Sequence, residues 1–156
     1  AQSSVEEPSV LSALLALDAD GSTKTTNTNN LKGIEMANAK ESLEKLAGLT
    51  GFIGACIVDA NSGMMMGSYG GGEAINLELA AAGNTEVVRA KRAAMQMLKL
   101  QDVIEDILVT LGKQYHLIRP IVAKEGLFVY LVVDRSRANL AMARHALGEM
   151  EKGLTV

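Results

Sequence analysis

The sequence predicts an α+β domain in the element order αββαβββα, built on one five-stranded antiparallel sheet. Two observations point there. Helical spacing of apolar residues over 38–49, 75–100 and 137–151 alternates with short, nearly continuous apolar runs of strand length. The links within each group of runs are of hairpin length, so consecutive strands must be antiparallel neighbours. A third observation sets the scale. The chain has 156 residues, 48% of them hydrophobic, which fills one core and leaves a modest flanking segment.

Residues 1–33 read as an appendage. Pro8-Ser9 opens a short helix over 9–17, with Val10, Leu11, Leu14 and Leu15 on one side. The tract from Asp18 to Asn30 is polar throughout and reads as a flexible linker, because it has nothing to bury against its ordering entropy. The domain is expected over 34–156. Residues 38–49 form its first helix, with Ala39, Leu43 and Leu46 in register and Gly48 and Gly51 as stop signals. Phe52–Asp59 reads as a strand buried on both faces, the stretch 60–63 as a turn, and Met64–Tyr69 as its hairpin partner. Gly70, Gly71 and Gly72 then break the chain before a long helix over Ile75–Leu100. Three apolar runs follow at Val103–Leu111, Tyr115–Val122 and Leu127–Asp134. A last helix spans Arg137–Glu151, with Leu140, Ala143, Arg144 and Leu147 in register.

The long helix has too little polar surface for a helix with one buried side. At 100° per residue, one sector carries Ile75, Leu79, Ala82, Gly83, Ala90, Ala93, Met97 and Leu100, interrupted by Glu86. A second carries Leu77, Ala80, Val87, Val88, Met95 and Leu98, with Asn84 and Lys91 among them. The third is polar: Glu78, Thr85, Arg89, Arg92, Gln96 and Lys99. Either the apolar stripe is simply wide, or one stripe packs on the sheet and the other meets a second protein. Gly83 sharpens the choice. A mid-helix glycine costs about 1 kcal/mol relative to alanine unless a close backbone approach compensates.

The pattern resembles the Roadblock (dynein light chain) superfamily. The residues that carry the resemblance are Leu43-x-x-Leu46-x-x-Leu49, then Gly51-Phe-Ile-Gly-Ala-Cys-Ile-Val-Asp59 and the Gly63 turn. The long helix, the strand Ile104–Leu111 and Gly126-Leu-Phe-Val-Tyr-Leu-Val-Val133 complete it, over roughly 34–151. The appendage and the Met64-Met65-Met66 strand depart from the minimal family pattern. The resemblance implies the long helix on one face of the sheet and the terminal helices on the other. It also implies dimerisation through the long helix and the edge strand after it. The dimer interface expected on that basis is Gly83, Val87, Val88, Lys91, Met95, Leu98, Ile104, Ile107 and Val109. Family members act as dimeric scaffolds or regulators, and bacterial and archaeal relatives often partner small Ras-like GTPases. The basic strip of Arg89, Arg92 and Lys99 is the expected docking site for such a partner.

Dedicated chemistry is not readable in the sequence. Gly67–Glu73 lacks the Gly-Lys-Ser/Thr ending of a phosphate loop and the spacing of a dinucleotide fingerprint. The segment opening at Asp18 misplaces the glycine of a calcium loop and has Asn29 where the bidentate glutamate belongs. Neither His116 nor His145 has a second ligand at metal spacing. The single cysteine, Cys56, lies mid-strand and reads as a buried, inert thiol, which excludes an internal disulfide and fits a reducing compartment. Asp102, Glu105 and Asp106 read as acids protecting a strand edge rather than as an acid–base pair. No catalytic residue, cofactor or metal site is therefore expected.

Net charge is −3, with −2 of it in residues 1–33 (four acids, two bases) and −1 in the rest, so no field attracts nucleic acid. Aromatics are 3% and tryptophan is absent, which argues against a base-stacking platform. No run approaches the roughly 20 apolar residues of a membrane span. The expectation is a cytoplasmic, non-catalytic, homodimeric module that scaffolds or regulates a small Ras-like GTPase or a larger assembly. The competing expectation is a small-molecule-sensing α/β domain.

Overall fold

The computed structural model of the chain describes residues 38–124 and 126–154. The helix expected at 9–17, the polar linker and the domain start at 34 lie outside these residues. Helix α1 (38–46) is followed by strands β1 (Phe52–Asp59) and β2 (Met64–Gly70), then the long helix α2 (Leu77–Met97). Strands β3 (Ile107–Thr110), β4 (Gln114–Pro120) and β5 (Leu127–Asp134) lead to helix α3 (Leu140–Leu154). The expected order αββαβββα holds. The five strands form one sheet in the order β2-β1-β5-β4-β3, every neighbouring pair antiparallel.

The alternation along β1 and β5 divides the interior into two cores. Ala55, Ile57, Val129, Leu131 and Val133 point to one face, where they meet Leu43 and Leu46 of α1 and Ala143, Leu147 and Met150 of α3. Cys56, Val58, Phe128, Tyr130 and Val132 point to the other, where they meet Leu77, Ala81 and Val88 of α2. The long helix and the terminal helices thus take opposite faces. The strand-to-helix connection after β2 is locked by close backbone approach. A Cβ at Gly54 would stand 2.8 Å from the nitrogen of Gly71, whose own N–H donates to the Ile53 carbonyl at 2.9 Å. Only glycine tolerates both that contact and the φ of +86° at Gly71.

Several boundaries differ from the sequence expectation, each for a local reason. The long helix begins at Leu77 because Asn76 caps it, its side chain accepting from the Leu79 N–H at 3.0 Å. It ends at Met97, and Lys99 then turns the chain with φ +56°. The run Val103–Leu111 yields only the four-residue strand β3. Residues 101–106 have no regular structure and carry three acids. Strand β4 stops at Pro120, which has no N–H to continue a ladder. Helix α3 starts at Leu140 rather than Arg137, after Asn139 accepts from the Met142 N–H at 3.1 Å.

Candidate interaction surface

Helix α2 is about 31 Å long at 1.5 Å per residue and only partly seated. Its fully buried residues are Leu77, Ala81, Thr85 and Val88, a narrow stripe that lies over β1 and β2. Thr85 belongs to the sector expected to be polar, yet it is 1% exposed. Its hydroxyl is satisfied by donating to the Ala81 carbonyl at 2.7 Å, which makes burial cheap. Beside Thr85, Arg89 ties the helix to the β1–β2 turn. Its Nε donates to the Ala60 carbonyl at 3.1 Å, one terminal nitrogen to the Asn61 carbonyl at 2.8 Å, and the other to Glu86 at 2.9 Å. Arg89 is therefore a structural tie and not a free docking cation. Arg92 and Lys99, by contrast, are exposed and have no such tie.

The two apolar sectors of α2 resolve unequally. The first faces away from the sheet: Leu79 and Met97 are 72% and 84% exposed, with exposed Ala82, Gly83, Ala90 and Ala93 between them. A Cβ at Gly83 would meet nothing within 4 Å, so the protomer itself supplies no reason for a glycine. The second sector straddles the core boundary. Val88 is 0% exposed and belongs to the protomer core, so it is not part of an outward seam. Met95 is half-buried, and Val87, Lys91 and Leu98 are exposed along the flank. Asn84, between Val87 and Val88 on the helical wheel, is half-buried.

The rest of this face opens only toward its β3 edge. Helix α2 packs chiefly on β1 and β2, yet Ile118 of β4 is still fully buried in the α2-side core, and exposure begins at Val109 of β3. Among the described residues β3 pairs with β4 alone, so its outer backbone edge is unpaired. Ile107 is half-buried against the α2 core, and Val109 is exposed. Ile104 lies in the segment leading into β3 rather than within the strand, half-buried. It lines a cavity of ≈ 390 Å³ with Arg92, Met95, Leu100, Pro120 and Val122. The last turns of α2 overhang this cavity, whose lining contains no aromatic side chain.

The remaining candidates fall into ordinary roles. Asp106 receives Arg144 of α3 in a two-pronged pair at 3.1 and 3.3 Å, and Asp102 accepts from the Val103 N–H at 2.8 Å. Cys56 is fully buried, and burial pushes its thiol up to about 12, which leaves it protonated and unreactive. His145 is exposed on α3. His116 is half-buried and bonded through both ring nitrogens, an arrangement the sequence did not signal. No group of three His, Cys, Asp or Glu among the described residues could hold a metal ion. No helix among them is long and apolar enough to cross a membrane.

Comparison with known proteins supports the fold at structure level only. No family model and no curated protein matches the sequence. Solved structures do match. MglB of Myxococcus xanthus superposes with a TM-score of 0.64 at 14% identity, over 80% of this chain and 86% of that one. A Roadblock/LC7 domain from Streptomyces avermitilis gives 0.64 at 13% identity, over 74% and 92%. The gliding protein MglB of Thermus thermophilus gives 0.66 at 18% identity, over 78% and 88%. The chain has a Roadblock-type fold.

Proposed function

We propose that this chain is a non-catalytic homodimeric interaction module that scaffolds or regulates a small Ras-like GTPase. One observation carries the dimer. The exposed flank of α2 and the unpaired edge of β3 border the same incompletely covered face of the sheet. A second copy, related by a two-fold axis, would pair β3 with β3 and lay its helix alongside the first. Val87, Lys91, Met95 and Leu98 would then meet the partner helix, with Gly83 allowing close approach at one end. Ile107 and Val109 would lie beneath the joint, and Ile104 at its margin. Val88 stays in the protomer core. The Roadblock-type fold supports the GTPase as partner, and Arg92 and Lys99 are the docking cations. The outward stripe ending in Leu79 and Met97 would remain exposed on the finished dimer and suits a further protein contact.

Sedimentation at micromolar concentration tests the dimer. The wild-type chain should run as a dimer and Val87→Asp as a folded monomer. A monomeric wild type would overturn the proposal. The GTPase step is tested by measuring GTP hydrolysis by a Ras-like GTPase of the same organism with and without the module. Arg92→Ala should weaken any effect, and an unchanged hydrolysis rate and no co-sedimentation in either nucleotide state would contradict it.

A further inference from the structure

The buried stripe of α2 continues past its buried residues. Leu77, Ala81, Thr85 and Val88 are buried in succession, and helical spacing extends the same stripe to Arg92 and Met95. Arg92 is nevertheless exposed and Met95 only half-buried. Beneath them lies the ≈ 390 Å³ cavity, bounded otherwise by residues of the segment 100–104 and of the connection between β4 and β5. At roughly 30 Å³ per water-sized group, ≈ 390 Å³ holds about 13 such groups. Part of its floor carries no side chain. Gly126 stands there at φ +90°, and a Cβ on it would come 2.5 Å from the Asn61 side-chain nitrogen.

The walls are of two kinds. Leu100, Val103 and Val122 are 52%, 63% and 65% exposed, so much of the apolar wall faces water. Covering it would be favourable. The polar wall carries two opposite charges on different elements, Arg92 of α2 and Asp102 of the segment 100–104. Among the described residues the Arg92 guanidinium has no hydrogen bond or ion pair, with Asp102 or with any other group. One carboxylate oxygen of Asp102 accepts from the Val103 N–H at 2.8 Å, and among the described residues the other has no partner. Two opposite charges line one cavity without meeting each other. Both are left for a ligand that carries the complementary pair.

We propose that this cavity binds an apolar zwitterion, a free amino acid or a dipeptide. Its carboxylate pairs with Arg92, its ammonium with Asp102, and its side chain lies against Met95, Leu100, Ile104 and Val122. Arginine suits the carboxylate because its parallel N–H donors match the two oxygens. A plain carboxylic acid would meet Arg92 but be repelled by Asp102, and a plain amine would meet Asp102 but be repelled by Arg92. The zwitterion alone satisfies both. All of these walls come from one protomer, so the site goes beyond the homodimer proposed above and does not rest on it.

NMR titration of the full chain tests this, with L-leucine, L-alanyl-L-leucine, 4-methylpentanoate and 3-methylbutylamine as probes. At least one zwitterion should shift resonances of Arg92, Met95, Asp102, Ile104 and Val122 saturably, with a Kd on the order of 0.1 to 1 mM. The tighter of the two zwitterions names the ligand class. The acid, which lacks the ammonium, and the amine, which lacks the carboxylate, should each bind about fivefold more weakly or worse. Arg92 and Asp102 are exposed, so Arg92→Ala and Asp102→Asn should both fold. Asp102→Asn should erase the preference for leucine over 4-methylpentanoate, and Arg92→Ala its preference over 3-methylbutylamine. A merely structural role would weaken all probes alike. No saturable shift from either zwitterion would overturn the proposal. So would shifts confined to other residues, or 4-methylpentanoate binding as tightly as leucine.

Discussion

The two faces of the sheet are built from the same strands and differ in how completely they are covered. On one face α1 and α3 lie over a core of twelve buried residues, from Leu43 and Leu46 through Leu117 and Leu131 to Leu147 and Met150. On the other, α2 lies over β1 and β2, and cover thins toward the β3 edge, where Val109 is exposed. The closed face explains why the protomer folds. The half-covered face holds what folding leaves unexplained: an apolar helix flank, a short edge strand and a glycine that nothing in the protomer requires.

The contrast can be broken by substitution on either side. The largest loss of stability is expected on the closed face. Leu131→Ala removes a fully buried side chain from its centre and should cost about 2 to 5 kcal/mol in chemical unfolding. If the two faces do different jobs, Val87→Asp should behave in the opposite way. Its side chain is already partly exposed, so the fold should survive, while the dimer weakens roughly thirtyfold or more, about 2 kcal/mol. Within α2, Arg89→Ala should lower protomer stability by about 1 kcal/mol through the lost carbonyl contacts, whereas Arg92→Ala should leave it unchanged within about 0.5 kcal/mol. The smallest effect is at Asp134. Its bonds to Ser136 hold its carboxyl below the ordinary value of 3.8. The stability it contributes is therefore full above that value and lost as pH falls through the folded one. Asp134→Asn should flatten the acid limb of a thermal-melting profile.

Much of the closed face was legible in the sequence. Strands β1 and β5 begin and end where their apolar runs do, because buried strands leave no room for polar residues. The opposite faces taken by long and terminal helices were likewise expected. The half-covered face was harder to read. Two apolar sectors on α2 were visible, but their assignment turns on Thr85, whose hydroxyl bonds back to its own helix and lets a polar residue face the core. Arg89 looked like a surface cation because its carbonyl acceptors, Ala60 and Asn61, lie in a distant turn. Strand β3 looked longer because periodicity does not reveal that residues 103–106 lack a ladder partner. The contact of Tyr130 with His116 was not legible, because it depends on the register of β4 against β5.

The central claim is that a second copy sits against the exposed flank of α2 and the β3 edge. Hydrogen exchange at Ile107–Thr110, followed over a dilution series, addresses it most directly. The amides of β3 that point away from β4 should be protected at tens of micromolar and lose that protection on dilution, as the β3–β3 ladder comes apart. Exchange at these amides that is equally fast at every concentration would contradict the account, even for a chain that dimerises by some other surface.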